Sequence, residues 1–174
     1  CSSDLDRFWL LVTYLHLDNN EHYPSMNSPG YTPLNKLGRL YNRVVQRFTR
    51  VYRPNRHISV DEGIVPWRGN LSFRVYNPDK PKKYGIKAYM LCDSENGYVC
   101  KFKLYTGKYE GKASPYGATF DVVMDLTKDY INRGYHVFMD NFYSSPLLYV
   151  NLWERGIGAT GTLRPCRKGT PKIM

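Results

Sequence analysis

The sequence has no apolar run approaching the roughly 20 residues that a membrane-spanning helix needs, and its 174 residues include only 4 cysteines and 4 histidines. The apolar stretch FWLLV, residues 8–12, reads instead as a segment of a core helix. The opening residues, CSSDLDRF, are acidic and polar, so no signal peptide is expected there. None of Cys1, Cys92, Cys100 and Cys166 lies in a C-x-x-C pair, which argues against a zinc knuckle. They read as reduced core thiols of an intracellular protein; a disulfide between Cys92 and Cys100, which flank a turn, is the minor alternative. Acidic residues are scarce, 15 against 25 basic ones, for a net charge of +10. They are missing altogether from Lys36 to Arg56 and again after Glu154. Such a balance points to a polyanionic partner, most often nucleic acid, with a basic protein lacking any such partner as the alternative.

What is present divides into a helical start and a strand-rich remainder. Residues 4–17 carry Phe8, Leu11, Val12 and Leu15 at the spacing of one helix face. Residues 18–33 are rich in Asn, Pro, Ser and Gly and read as a loop. Residues 35–52 predict a helix with Leu37, Leu40, Tyr41, Val44, Val45, Phe48 and Val51 on one side and Arg39, Arg43, Arg47 and Arg50 on the other. That arginine face is either a phosphate-binding stripe or simply a solvated surface. From His57 the period shortens: strands are expected at HISVDEGIV, LSFRVY, YGIKAYMLCD and GYVCKFKLY, the last two joined by SENG, whose Asn96-Gly97 signals a hairpin. Then follow a helix ending near Gly134, the strand YHVFMD, a helix with Ser145 as N-cap and Pro146 at its first turn, and a last strand, IGATGTLR. The fold class is therefore α/β: three antiparallel strands, then β-α-β-α-β with parallel pairing, preceded by a small helical region.

Two acids stand out. Asp140 closes the strand that starts at Tyr135, and Asp61 sits within SVDEGIV. An acid at the carboxyl end of a central strand occupies the edge where open α/β sheets place ligands. If the two strands are neighbours, both side chains reach one spot, where two carboxylates at close range favour a bridging hard cation such as Mg2+ or Mn2+. The structural alternatives are that Asp140 caps the turn after it and that Asp61 pairs with an arginine such as Arg74. Glu62 alternates to the other side of the strand and is the weaker ligand.

The segments SVDEGIVPWRGNLSFRVYNPDKPKKYGIKAYMLCDSENGYV, VFMDNFYSSPLL, GIGATGTLRPCRKGTP and RFWLLVTYLHLDNN together resemble the piggyBac family of transposases and transposable element-derived proteins, over essentially the whole chain and in family order. The resemblance implies an RNase H-like mixed sheet with an Asp-Asp-Asp metal triad whose first two members fall on Asp61 and Asp140. It implies Mg2+- or Mn2+-dependent cleavage and strand transfer on double-stranded DNA at transposon ends, insertion at TTAA, a nuclear location and a homodimer on DNA. The family's third aspartate and its cysteine-rich domain lie further downstream than this sequence extends, so residues 1–56 are expected to form the helical, DNA-binding or dimerising side and 57–174 a catalytic core short of its third acid. An inactive DNA-binding or interaction module is the alternative reading, and an unrelated RNase H-like nuclease a third. Expected phosphate contacts are Arg39, Arg43, Arg47 and Arg50, then Lys80, Lys82, Lys83 and Lys87, then Arg164, Arg167 and Lys168, with Lys172 in the same tail; Trp67, Tyr84 and Phe142 are candidate stacking residues.

Overall fold

The computed structural model describes residues 2–19, 21, 23–26, 28–78, 81, 83–107 and 113–170, so Lys80, Lys82 and Lys172 lie outside the described residues. The chain divides into two compact units, Cys1–Val44 and Val45–Met174.

In the first unit, helix α1 (Ser2–Thr13) is followed by the turn-rich stretch that the composition predicts. The helix is shorter than expected, leaving Leu15 beyond its end, and its apolar side is not core: Phe8 is 54%, Leu11 63% and Val12 47% exposed. The periodicity was a true helix signal, but nothing among the described residues of this unit covers that face. A 3-10 turn at Asn35–Leu37 leads into α2 (Gly38–Val51). Gly38 has φ 51° and sits so close to the Asp18 carboxylate that a β-carbon would collide with it, which explains glycine at this junction. Helix α2 crosses from one unit into the other. Its four arginines, Arg39, Arg43, Arg47 and Arg50, are all exposed.

The second unit is built on one six-stranded sheet. Strand β1 (His57–Pro66) pairs antiparallel with β3 (Tyr84–Asp93) and parallel with β5 (His136–Met139), and β6 (Gly158–Gly161) extends the sheet parallel to β5. Along the far side of β3 run β2 (Val75–Tyr76) and β4 (Val99–Leu104), both antiparallel. The order is the expected one, three long antiparallel strands and then two parallel ones reached through helices. The turn at residues 94–97 closes the β3–β4 hairpin, with Gly97 at φ 74°. Only Val75 and Tyr76 of the anticipated strand 71–76 pair; Arg74 instead uses its guanidinium to hold the carbonyls of Arg68 and Gly69.

Helix α3 (Ala118–Thr127) packs on β3 and β4, and α4 (Pro146–Glu154) packs on β6. Helix α3 stops earlier than its sequence suggests: a 3-10 turn at Lys128–Tyr130 follows, and Asn132 takes the left-handed conformation. Helix α4 starts as expected, the Ser145 hydroxyl accepting from the Leu148 amide with Pro146 in the first turn. Ile58, Val60, Leu91, Val123, Leu126, Val137, Leu148 and Leu152 fill one core beneath these helices. The alternation along β1 and β5 buries Ile58, Val60, Val137 and Met139 and turns Asp61 and Phe138 outward.

Candidate metal centre and nucleic-acid surface

The register between β1 and β5 runs His57 opposite His136, Ile58 opposite Val137, Ser59 opposite Phe138 and Val60 opposite Met139. Asp61 and Asp140 are the next residue on each strand. Neighbouring strands lie about 4.8 Å apart, so the two acids, 79 positions apart in sequence, emerge side by side, Asp140 just past the end of β5 and Asp61 midway along β1. Val60 and Met139 point into the core, which directs the following residue of each strand away from it. Both aspartates are exposed. The Asp61 Oδ1 accepts from the Glu62 amide at 2.7 Å. The Asp140 Oδ1 accepts from the amides of Phe142 and Tyr143 at 3.0 and 3.4 Å, so Asp140 does cap the turn that follows it. No hydrogen bond or ion pair among the described residues engages Oδ2 of either aspartate. Arg74, the alternative partner for Asp61, is committed elsewhere.

The donor set suits a hard cation: two carboxylates on neighbouring strands, each with an uncommitted oxygen and open to water that can complete an octahedron. Among the described residues, no group of three His, Cys, Asp or Glu side chains is placed to hold a metal ion. Glu62 is turned the other way, as its position in the strand dictates. It accepts from the Tyr143 hydroxyl at 3.0 Å and lies 4.0 Å from the Lys87 ammonium. Burial pushes the Tyr143 phenol far up, and the neighbouring Glu62 carboxylate adds to the shift. Burial likewise pushes up the Cys92 thiol, with the Asp61 charge contributing. The Cys100 thiol rises to about 11, chiefly through burial. Cys92, Cys100 and Cys166 are all free thiols, and Cys166 is exposed rather than in the core.

The loop after Asp140 is braced from three sides. The Asp140 carbonyl accepts from the Ser144 amide and, at 2.8 Å, from its hydroxyl, which in turn accepts from the Tyr149 hydroxyl. Arg164 donates to the Asn141 side chain at 3.0 Å, and Arg167 donates to the carbonyls of Asn141 and Phe142 at 2.8 and 2.6 Å. Gly161 completes the support: a β-carbon there would collide with the Met139 carbonyl and crowd the Ser144 and Tyr149 hydroxyls. Sequence reasoning missed Ser144, Tyr149 and Gly161. Each is an unremarkable residue type, and only the tertiary fold brings the three together.

The expected phosphate contacts have different settings. Arg39, Arg43, Arg47, Arg50, Lys83 and Lys168 are exposed. Lys87 is half-buried, its ammonium 5.0 Å from the Tyr89 ring and 5.1 Å from that of Phe142. Arg164 and Arg167 are engaged with the Asp140 loop, as above. Trp67 and Tyr84 expose about half their surface beside Arg68 and Lys83 and line a cleft of about 520 Å³.

The family model described as Transposase IS4 matches residues 4–174. Among curated human proteins, PiggyBac transposable element-derived protein 3 is 28% identical over 165 residues, covering 91% of this chain and 26% of its own length. PiggyBac transposable element-derived protein 2 is 27% identical over 167 residues, 93% of this chain and 27% of its length. The chain thus spans about a quarter of these relatives. Among solved structures, the piggyBac transposase in a synaptic complex with hairpin DNA superposes with a TM-score of 0.83 at 27% identity, over 95% of this chain and 34% of that one. With the mixed sheet and its order of strands, these matches establish the chain as a member of the Transposase IS4 family, a piggyBac transposase-derived domain with the RNase H-like catalytic-core fold.

Proposed function

We propose that this domain binds double-stranded DNA through its basic surface and contributes Asp61 and Asp140 to a divalent-cation site for phosphodiester cleavage and strand transfer. The carrying observation is the β1–β5 register, which sets Asp140, just past the end of β5, beside Asp61 in the middle of β1. DDE-type transposases generally work with a divalent metal, and Mg2+ or Mn2+ fits a pair of exposed carboxylates better than zinc does. When bound, the cation would activate the attacking oxygen and stabilise the leaving one. The chain's own part is to orient the carboxylates: the Phe142 and Tyr143 amides fix Asp140, and the bonds of Ser144, Arg164 and Arg167 hold its loop.

Transposon ends as substrate, TTAA as target, action as a homodimer, a nuclear location and the division of labour between residues 1–56 and 57–174 belong to the same proposal, by kinship with the piggyBac relatives. A second reading, DNA binding without chemistry by this segment alone, is favoured by the missing third ligand among the described residues.

The test is duplex affinity with and without Mg2+ at constant ionic strength. A cation between the acids removes their repulsion for phosphate, so Mg2+ should strengthen binding of a TTAA-containing duplex beyond its effect on salt screening. Asp61→Asn with Asp140→Asn should abolish that gain. An equal Mg2+ gain in the double variant would refute the assignment.

A further inference from the structure

Beyond the acidic edge, the second unit carries a second charged feature at the opposite end of its sheet. A groove of about 660 Å³ opens where β1 and β5 begin, between the segment that follows α2 and the 3-10 turn after α3. Arg50, Arg53, Lys128 and Arg133 line it, against one acid, Asp129. That acid is taken: its carboxylate holds the buried Lys101 ammonium at 2.6 Å. Lys128 is partly neutralised by Asp125 at 2.7 Å. Arg50, Arg53 and Arg133 have no acidic partner among the described residues, and all three are exposed. The wall is partly apolar. Tyr130 and Tyr135 are both buried and meet edge to face, ring centroids 5.0 Å apart, and the Tyr135 hydroxyl reaches the Pro54 carbonyl.

We infer that this groove is a phosphate-backbone site for a DNA strand, separate from the acidic pair. Three unpaired guanidiniums around one groove repel one another and are relieved by an anion, and the planar guanidinium fork matches phosphate oxygens. A single small anion would satisfy one or two of them; three guanidiniums with a half-neutralised lysine call for several phosphates in series. The low-dielectric tyrosine wall strengthens each contact. Strand β5 spans 4 residues, or about 13 Å at 3.3 Å each, so a phosphate seated here is not the one that meets Asp61 and Asp140. The groove therefore grips DNA at a distance from the reacting bond and adds affinity without sequence preference. It rests on the DNA-binding half of the proposed function and not on the cation site.

The test is fluorescence anisotropy on a 20-bp duplex in EDTA, from 50 to 200 mM NaCl, with the whole 174-residue chain. Loss of three phosphate contacts in Arg50→Ala/Arg53→Ala/Arg133→Ala should flatten the log–log salt slope by about 2.7. Wild type should then lose roughly 40-fold more affinity than the variant across that range. The triple lysine variant, which keeps the charge, should retain most of the slope. Arg133→Ala alone, on an exposed turn, should remove about 0.9 and serves if the triple variant does not fold. An unchanged slope in folded variants overturns the groove, as does absence of duplex binding by wild type in EDTA. Saturation of the groove by inorganic phosphate alone, without competition against DNA, overturns it in favour of a free-phosphate site. Failure of the cation assignment is read separately, from the Mg2+ dependence of Asp61→Asn with Asp140→Asn.

Discussion

Replacing Asp93 by asparagine removes a charge from the most completely hydrogen-bonded carboxylate among the described residues while keeping its shape. Asp93 ends β3 and is fully buried. Its Oδ2 accepts from the Tyr52 hydroxyl at 2.8 Å and the Asn55 amide at 2.9 Å, and its Oδ1 accepts from the Glu95 amide at 2.8 Å. These bonds tie the segment after α2 to the β3–β4 hairpin. An asparagine side chain has only one oxygen. If it faces Glu95, its NH2 confronts the Asn55 N–H; if it faces Asn55, its NH2 confronts the Glu95 N–H. Either way at least one backbone donor loses its acceptor, which costs about 1–3 kcal/mol, and the remaining bonds lose their charge assistance. The total loss is about 3 kcal/mol, or roughly 6–12 °C in melting temperature for a chain of this length. Burial alone would raise the Asp93 pKa, but the amide and hydroxyl donors outweigh it and hold the carboxyl below its usual value. A depressed folded pKa gives stability that is complete above the unfolded value of about 3.9 and is lost as pH falls through the folded value. The gap between wild type and Asp93→Asn, followed by circular dichroism melts, should therefore stay constant from pH 8 to 5 and narrow below pH 4. A gap under about 0.5 kcal/mol at neutral pH, or one that persists unchanged to pH 2, would refute the reasoning; the first figure is the scale of an ordinary surface substitution.

Two further substitutions probe the frame of the site. Ser145→Ala removes the N-cap of α4 and should destabilise by about 1 kcal/mol in a denaturant melt, with Ser145→Asn recovering most of it. Gly161→Ala drives a methyl against the Met139 carbonyl, next to Asp140, and should destabilise by about 1–3 kcal/mol, while shifting the amide resonances of Asp140 to Ser144 far more than those of the β3–β4 hairpin.

The parts of this fold written in short-range pattern were legible. Strand β3 was readable to the residue because alternation and an Asn-Gly turn both bound it, and α4 because Ser-Pro opens it and Gly156, at φ 67°, closes it. Asp140 was readable because a carboxylate directly after Val137 and Met139 conflicts with burial unless something uses it. What pattern could not supply was the partner of each face. The spacing of Phe8, Leu11 and Val12 marks a helix but not whether anything covers it, and within its unit they stay exposed. Strand β2 shrank to two residues because residues 71–74 close a turn, the Arg74 amide donating to the Leu71 carbonyl. The basic groove was half visible, through Arg50, but Arg53 and Arg133 are 80 positions apart and meet only once β1 and β5 pair.

The central claim, that Asp61 and Asp140 share one hard cation, is tested most directly by paramagnetic Mn2+ titration of the isotope-labelled chain. The account predicts broadening that is strongest at the amides around Asp61 and from Asp140 through Phe142, that weakens along β3 from Met90, opposite Asp61, toward Tyr84 at its far end, and that is lost in Asp61→Asn. Broadening centred elsewhere, or an unchanged pattern in Asp61→Asn, would contradict it.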